Sequence, residues 1–178
     1  MAASGLDIKT PLFVLGGARS GKSSWAESVV LRLPAPHVYI ATAQALDDEM
    51  NLRIESHRER RRDLWETIES PIDLSNSLKI LKGPRKPAVL VDCMTIWLSN
   101  LLCSGSIEAE SAIDALCETI EAVDYPLVMV SNEVGYGIVP ENQLARRFRD
   151  LSGLTNQRLA GICASVFLVT AGLPLRIK

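Results

Sequence analysis

The chain is poor in the patterns that mark several function classes. It has only two histidines, His37 and His57, and its four cysteines, Cys93, Cys103, Cys117 and Cys163, show no C-x-x-C spacing. The common zinc-ligand patterns are therefore missing. The cysteines each sit in an apolar stretch, and the expectation is reduced thiols packed in a cytosolic core. No apolar run reaches the roughly 18 residues that a membrane helix requires. The formal net charge is only −2, so no global field draws nucleic acid or an anionic membrane. The opening residues Met1-Ala2-Ala3-Ser4-Gly5-Leu6-Asp7 lack the basic-then-apolar order of a secretory signal, and residues 1–10 read as a loose lead-in. No internal repeat or low-complexity segment interrupts the rest. The expectation is a cytoplasmic protein with one domain over residues 11–178, long enough to bury a sizeable core.

Against these absences one motif stands out. Gly16-Gly17-Ala18-Arg19-Ser20-Gly21-Lys22-Ser23 satisfies the phosphate-loop pattern G-x-x-x-x-G-K-[ST]. Leu12-Phe13-Val14-Leu15 before it reads as a buried strand, and Ser24 to Leu31 after it as a helix. Strand, glycine turn and helix N-terminus together make an anion site, because backbone N–H groups and the helix dipole both favour negative charge. Lys22 would reach the β- and γ-phosphates of a nucleotide, and the Ser23 hydroxyl would bind Mg²⁺.

Short apolar runs alternate with helical stretches along the chain. The runs Leu12–Gly16, Val38–Thr42, Ala88–Cys93, Leu127–Ser131 and Val166–Thr170 predict a mostly parallel sheet flanked by helices, an α/β fold of phosphate-loop type. Residues 82–87 read as a turn into the Ala88 strand, Ser104-Gly105-Ser106 as a break between two helices, and Pro140 as the opening of a long helix. Sites in such sheets lie at the carboxyl ends of the strands. That rule selects the phosphate loop, Ala41-Thr42-Ala43, Asp92 and Asn132-Glu133. Asp92 ends the run Ala88-Val89-Leu90-Val91, where an acidic residue can hold Mg²⁺ through water; the competing role is to cap the helix that starts at Met94.

Residues 47–61, Asp47 through Arg61, read as a highly charged helix. Arg53, His57, Arg60 and Arg61 fall at i−4, i, i+3 and i+4, on one helical face. Neighbouring arginines disfavour a charged imidazole, and a neutral imidazole is what a histidine nucleophile needs. The arginines would meanwhile neutralise phosphates. The competing account is a solvated charged helix with an incidental histidine. His37, just before its strand, reads as structural.

The chain resembles the bifunctional adenosylcobinamide kinase/adenosylcobinamide-phosphate guanylyltransferase family of cobalamin biosynthesis. The stretches that carry the resemblance are Gly16 to Ser23, Tyr39-Ile40-Ala41-Thr42-Ala43, Asp47-Asp48-Glu49-Met50, and Arg53-Ile54 with His57. They continue through Trp65, Thr67 and Glu69, Val91-Asp92-Cys93-Met94-Thr95, Trp97 to Leu102, and Ser131-Asn132-Glu133-Val134-Gly135. Gly137 to Pro140, Leu144-Ala145-Arg146, Phe148-Arg149-Asp150, Asn156 to Ala160 and Ala171 to Leu175 complete the series. The chain departs from the family at Arg60-Arg61-Arg62, where Arg-Pro is frequent, and at Gly153-Leu154, where Gly-Arg is frequent.

The resemblance implies a kinase step, in which ATP or GTP phosphorylates the aminopropanol hydroxyl of adenosylcobinamide. It also implies a guanylyl transfer, in which GTP guanylylates a histidine and GMP passes to adenosylcobinamide phosphate. His57 matches that histidine, with Lys22 as the second catalytic residue. Nucleotide contacts are implied for Gly16, Gly17, Ala18, Arg19, Ser20, Gly21, Lys22, Ser23, Ala41, Thr42, Ala43, His57, Arg58, Glu59, Arg60, Glu69 and Asp92. Ser23 and Asp92 are the implied Mg²⁺ residues, Asn132 to Pro140 is a candidate corrinoid loop, and the implied assembly is a homotrimer. Two other readings of the phosphate loop are a small metabolite kinase that has no use for His57, and a nucleotide-dependent switch or ATPase module.

Overall fold

A computed structural model describes residues 8–44, 64–105 and 108–178. The charged segment expected to be helical over 47–61, with His57, Arg58, Glu59 and Arg60, lies outside the described residues. Seven strands form one sheet: β1 (Leu12–Gly16), β2 (His37–Ala41), β3 (Glu66–Glu69), β4 (Ala88–Asp92), β5 (Leu127–Asn132), β6 (Ser165–Thr170) and β7 (Leu173–Arg176). Their order is β3-β2-β4-β5-β1-β6-β7. Every neighbouring pair is parallel except the last, β6 with β7.

The five apolar runs each became a strand, with ends within a residue of expectation. β3 and β7 gave no such signal. Both lie at sheet edges, both are short, and Glu-Thr-Ile-Glu and Leu-Pro-Leu-Arg are largely exposed. An edge strand need not be apolar on both sides, and proline is tolerated there.

The strand pleat sorts side chains between two cores. Leu12, Val14, Leu90, Val128, Val130 and Phe167 face α1 (Lys22–Val30), through its Ala26, Val29 and Val30. Phe13, Leu15, Val89, Val91, Leu127 and Met129 face the other way. There they meet α2 (Leu74–Lys79), α3 (Met94–Ser104), α4 (Ala109–Glu121) and α5 (Gln143–Ile162). Each fully buried aliphatic or aromatic side chain contributes about 1.5–3 kcal/mol, so the central strands anchor the fold. None of these helices, among the described residues, is long and apolar enough to cross a membrane.

Two local expectations need correction. Pro140 does not open the long helix. Asn142 does, its side chain accepting a hydrogen bond from the Ala145 N–H at 3.1 Å, which satisfies a free donor in the first turn. The cysteines are not all buried: Cys93, Cys117 and Cys163 are, whereas Cys103 is exposed on the last turn of α3. Burial pushes the Cys93 and Cys163 thiols up to about 12 and raises Cys117 as well. The thiolate is the reactive form. A thiol reagent at about pH 8 is therefore expected to modify one of the four cysteines, Cys103, in the native protein, and all four after denaturation. Fast labelling of a second thiol in folded protein would contradict this packing.

Candidate active site at the carboxyl edge of the sheet

Because the central strands are parallel, β1, β2, β3, β4 and β5 end on one edge, at Gly16, Ala41, Glu69, Asp92 and Asn132. The ends are also in register: Gly16 opposite Asn132, and Ala41 opposite both Glu69 and Asp92. The phosphate-loop residues thus meet the acidic strand ends that sequence spacing alone could not bring together.

The loop is built from close backbone approaches. A Cβ on Gly16 would stand 2.5 Å from Ser20 Oγ and 2.6 Å from the Val169 carbonyl oxygen, distances that no side chain tolerates. Gly21 adopts φ 91°, and a Cβ there would meet Gly172 Cα at 3.1 Å. The turn between β6 and β7 closes on the loop, Gly172 N–H donating to the Ser20 carbonyl at 2.8 Å. Ala171-Gly172 is therefore a buttress of the phosphate loop, a role the sequence motif did not reveal.

Ala18 and Arg19 are exposed on the loop, and Ser23 is half-buried in the first turn of α1. Ser20 Oγ is buried with no hydrogen-bond partner among the described residues. An orphan hydroxyl just ahead of a helix N-terminus is a donor suited to an anion. Lys22 is only 8% exposed, and its Nζ donates to the Gly17 carbonyl at 3.1 Å. Burial is the dominant influence and lowers its pKa, while the nearby Asp92 carboxylate acts in the opposite sense.

Asp92 lies on the α1 face of β4 by the alternation of its strand. Its Oδ2 accepts the Tyr39 hydroxyl at 3.1 Å. Tyr39 is held edge-on to Trp65, ring centroids 5.8 Å apart, and Trp65 also packs on His37. His37 is structural, as expected, with Nε2 bonded to the Leu33 carbonyl at 2.9 Å. Asp92 does not cap α3: Cys93 occupies the cap position, and no side chain caps that end. The fixed Asp92 carboxylate and the Ser23 hydroxyl are each hard oxygen donors of the kind that Mg²⁺ takes.

Thr42 plays a supporting part. It is fully buried, its hydroxyl donating to the Cys93 carbonyl and accepting from the Cys93 N–H, each at 2.8 Å. The side chain expected to touch nucleotide instead ties the end of β2 to β4. Ala41 and Ala43 flank it, half-buried, at the same edge. Asn100 of α3 extends the tie, its Nδ2 donating to the Thr42 and Pro71 carbonyls at 2.8 and 3.1 Å. Glu69 ends β3 on the exposed side of this junction.

A closed hydrogen-bond ring fixes the end of β5. Asn132 N–H donates to Thr95 Oγ1 at 2.6 Å, Thr95 and Ser131 hydroxyls are 3.2 Å apart, and Ser131 Oγ donates to Asn156 Oδ1 at 2.8 Å. Asn156 Nδ2 returns to the Asn132 carbonyl at 3.2 Å. With the Ser131 proton directed at Asn156, Thr95 supplies the donor between the two hydroxyls, and the ring runs in one sense. Glu133 N–H then bonds the Gly16 carbonyl at 3.1 Å. The loop beyond it presents Tyr136, Ile138 and Val139 to solvent, 85%, 96% and 60% exposed.

Known proteins resemble the chain along nearly its whole length. The family model described as cobinamide kinase / cobinamide phosphate guanyltransferase matches residues 12–177. The bifunctional adenosylcobalamin biosynthesis protein CobP of Pseudomonas aeruginosa is 42% identical over 166 residues, covering 93% of this chain and 95% of its own. The bifunctional adenosylcobalamin biosynthesis protein CobU of Salmonella typhimurium is 41% identical, covering 94% and 99%; its Escherichia coli counterpart is 39% identical with the same coverage. A solved structure from Pyrococcus horikoshii OT3 shares the fold at 10% identity, with a TM-score of 0.55 over 94% of this chain and 85% of that one. The chain belongs to the cobinamide kinase / cobinamide phosphate guanyltransferase family, whose two activities are both group transfers.

Proposed function

We propose that this chain phosphorylates the aminopropanol hydroxyl of adenosylcobinamide and then guanylylates the product through His57, yielding adenosylcobinamide-GDP and pyrophosphate. The observation that carries the reading is the convergence of the phosphate loop, Lys22 and Asp92 on one sheet edge, in a chain that matches the family over almost its whole length. In the first step the hydroxyl oxygen attacks the γ-phosphorus, the β–γ bridging bond breaks, and the nucleoside diphosphate leaves while the hydroxyl proton passes to solvent. In the second, an imidazole nitrogen of His57 attacks the α-phosphorus of GTP and expels pyrophosphate. A phosphate oxygen of adenosylcobinamide phosphate then displaces the histidine. Splitting the transfer this way makes two easier displacements.

The residues of the loop position and neutralise the phosphates: Gly16 to Ser23 through backbone N–H groups, Ser20 through its buried hydroxyl, and Lys22 through its charge. Mg²⁺ held by Ser23 and Asp92 would offset developing charge on the phosphate oxygens. Ala41, Ala43 and Glu69 line the neighbouring strand ends and serve the nucleotide, and Thr42 holds them in place. Arg58, Glu59 and Arg60 accompany His57. The exposed Tyr136, Ile138 and Val139 offer an apolar surface for the corrinoid beside the loop. The reading includes a cytoplasmic homotrimer.

The direct test is incubation of the purified protein with adenosylcobinamide, Mg²⁺ and ATP or GTP, followed by mass analysis of the corrinoid. Gain of one phosphoryl group, and with GTP a further GMP, is expected. Nucleotide hydrolysis with the corrinoid unchanged would point to a switch or ATPase instead.

A further inference from the structure

β5 lies between the strand that bears the phosphate loop and the strand that bears Asp92. Its last residue, Asn132, is level with Gly16 of β1, and Val130 is level with Asp92 of β4. The pleat decides which way Asn132 faces. Val128 and Val130 belong to the α1 side, and Leu127 and Met129 to the other. Ser131 follows Met129 and bonds to α3 and α5 residues on that other side. Asn132 therefore falls on the α1 side, with Gly16, Lys22 and Asp92.

The backbone of Asn132 is held twice by the ring, through its N–H to Thr95 and its carbonyl to Asn156. Among the described residues these are its side-chain partners, and neither involves the carboxamide. The residue is half-buried at the site edge. The ring itself is buried, with Ser131, Thr95 and Asn156 only 1%, 7% and 6% exposed. A satisfied buried network of this kind is rigid, and a rigidly held donor is what stabilises developing charge without reorganisation.

We infer that Asn132 is a further catalytic residue: its carboxamide N–H donates to the γ-phosphoryl group while that group moves from nucleotide to acceptor. The inference rests on the nucleotide reading of the phosphate loop. Thr95, Ser131 and Asn156 are its positioning residues. They reach the reaction only through the Asn132 backbone, so substitution of the Asn132 side chain leaves the ring intact.

The test compares wild type with Asn132→Ala, Asn132→Asp and Asn132→Ser, by calorimetric titration with GDP and with guanosine β,γ-imidotriphosphate, alongside corrinoid phosphorylation rates. The variants are expected to melt with wild type and to bind GDP as wild type does. Asn132→Ala should lose about tenfold in affinity for the triphosphate analogue relative to GDP, as for one hydrogen bond to a charged group, and about 10²-fold in kcat. Asn132→Asp, which brings a second negative charge, should lose more, and Asn132→Ser, which keeps a donor, less. Analogue-to-GDP ratios equal to wild type in folded variants would overturn the inference. So would equal losses for both ligands, the mark of a merely structural role. If wild type leaves the corrinoid unmodified, the proposed function fails while the affinity ratios still decide the role of Asn132.

Discussion

Lys22→Met is expected to abolish most of both activities while leaving the protein at least as heat-stable as wild type. The lysine is buried at the floor of the site, and burial lowers its pKa. A base with a depressed folded pKa makes folding less favourable while it is charged. That penalty is present at neutral pH and fades as pH rises through the folded pKa toward the ordinary lysine value. Methionine keeps the apolar stem and removes the charge, so the penalty goes with it. Among the described residues the hydrogen bond lost is that to the Gly17 carbonyl, on an exposed loop residue that water can serve. Catalysis has no such substitute. The ammonium group is the fixed cation of the phosphate loop, and loss of a preorganised charge of this kind costs about 10²–10³ in kcat. Because one loop is proposed to serve both steps, phosphorylation and guanylyl transfer should fall together. Thermal melts and the two rates, measured on Lys22→Met and Lys22→Ala, check this. A sharp fall in melting temperature for Lys22→Met would refute the burial penalty, and intact guanylyl transfer in a variant with no kinase activity would refute the shared-site account. The pattern expected is that of a functional residue kept at a cost in stability.

The sequence revealed the parts of the site that lie on strong local signals. The loop from Gly16 to Ser23 carries its own chemistry, and Asp92 stands where an apolar strand meets a polar end. Those two elements reach each other only through sheet order, and β5 between them could not be read from spacing. What stayed hidden was tertiary. Gly172 closing on Ser20, Tyr39 holding Asp92, and the Thr95–Ser131–Asn156 ring all join residues distant in sequence. Thr42 shows the converse case. Its position at a strand end suggested contact with nucleotide, yet its hydroxyl bonds the Cys93 backbone. Strand-end position is a statement about the edge, and side-chain direction is decided by packing. The edge strands β3 and β7 escaped because a strand with one exposed side needs no apolar run.

His57→Ala is expected to separate the two activities. Guanylyl transfer through a covalent intermediate requires a nucleophile, and removing a nucleophile of this kind costs about 10⁴-fold or more. The phosphorylation step does not use the imidazole, so it should persist in the variant. Labelling with α-³²P-GTP and Mg²⁺ reports the intermediate directly. Wild type should take up a label that is labile to acid and stable to base, as a phosphorus–nitrogen bond to histidine is, and His57→Ala should take up none. The same preparation, supplied with ATP and adenosylcobinamide, should still yield adenosylcobinamide phosphate. Transfer of GMP by a folded His57→Ala protein would show that the nucleophile lies elsewhere, and His57 would be an incidental residue of a charged segment. Loss of both activities in a variant that melts like wild type would mean that residues around His57 help to build the phosphate site itself. In that case the division of labour between the loop and the charged segment would have to be redrawn.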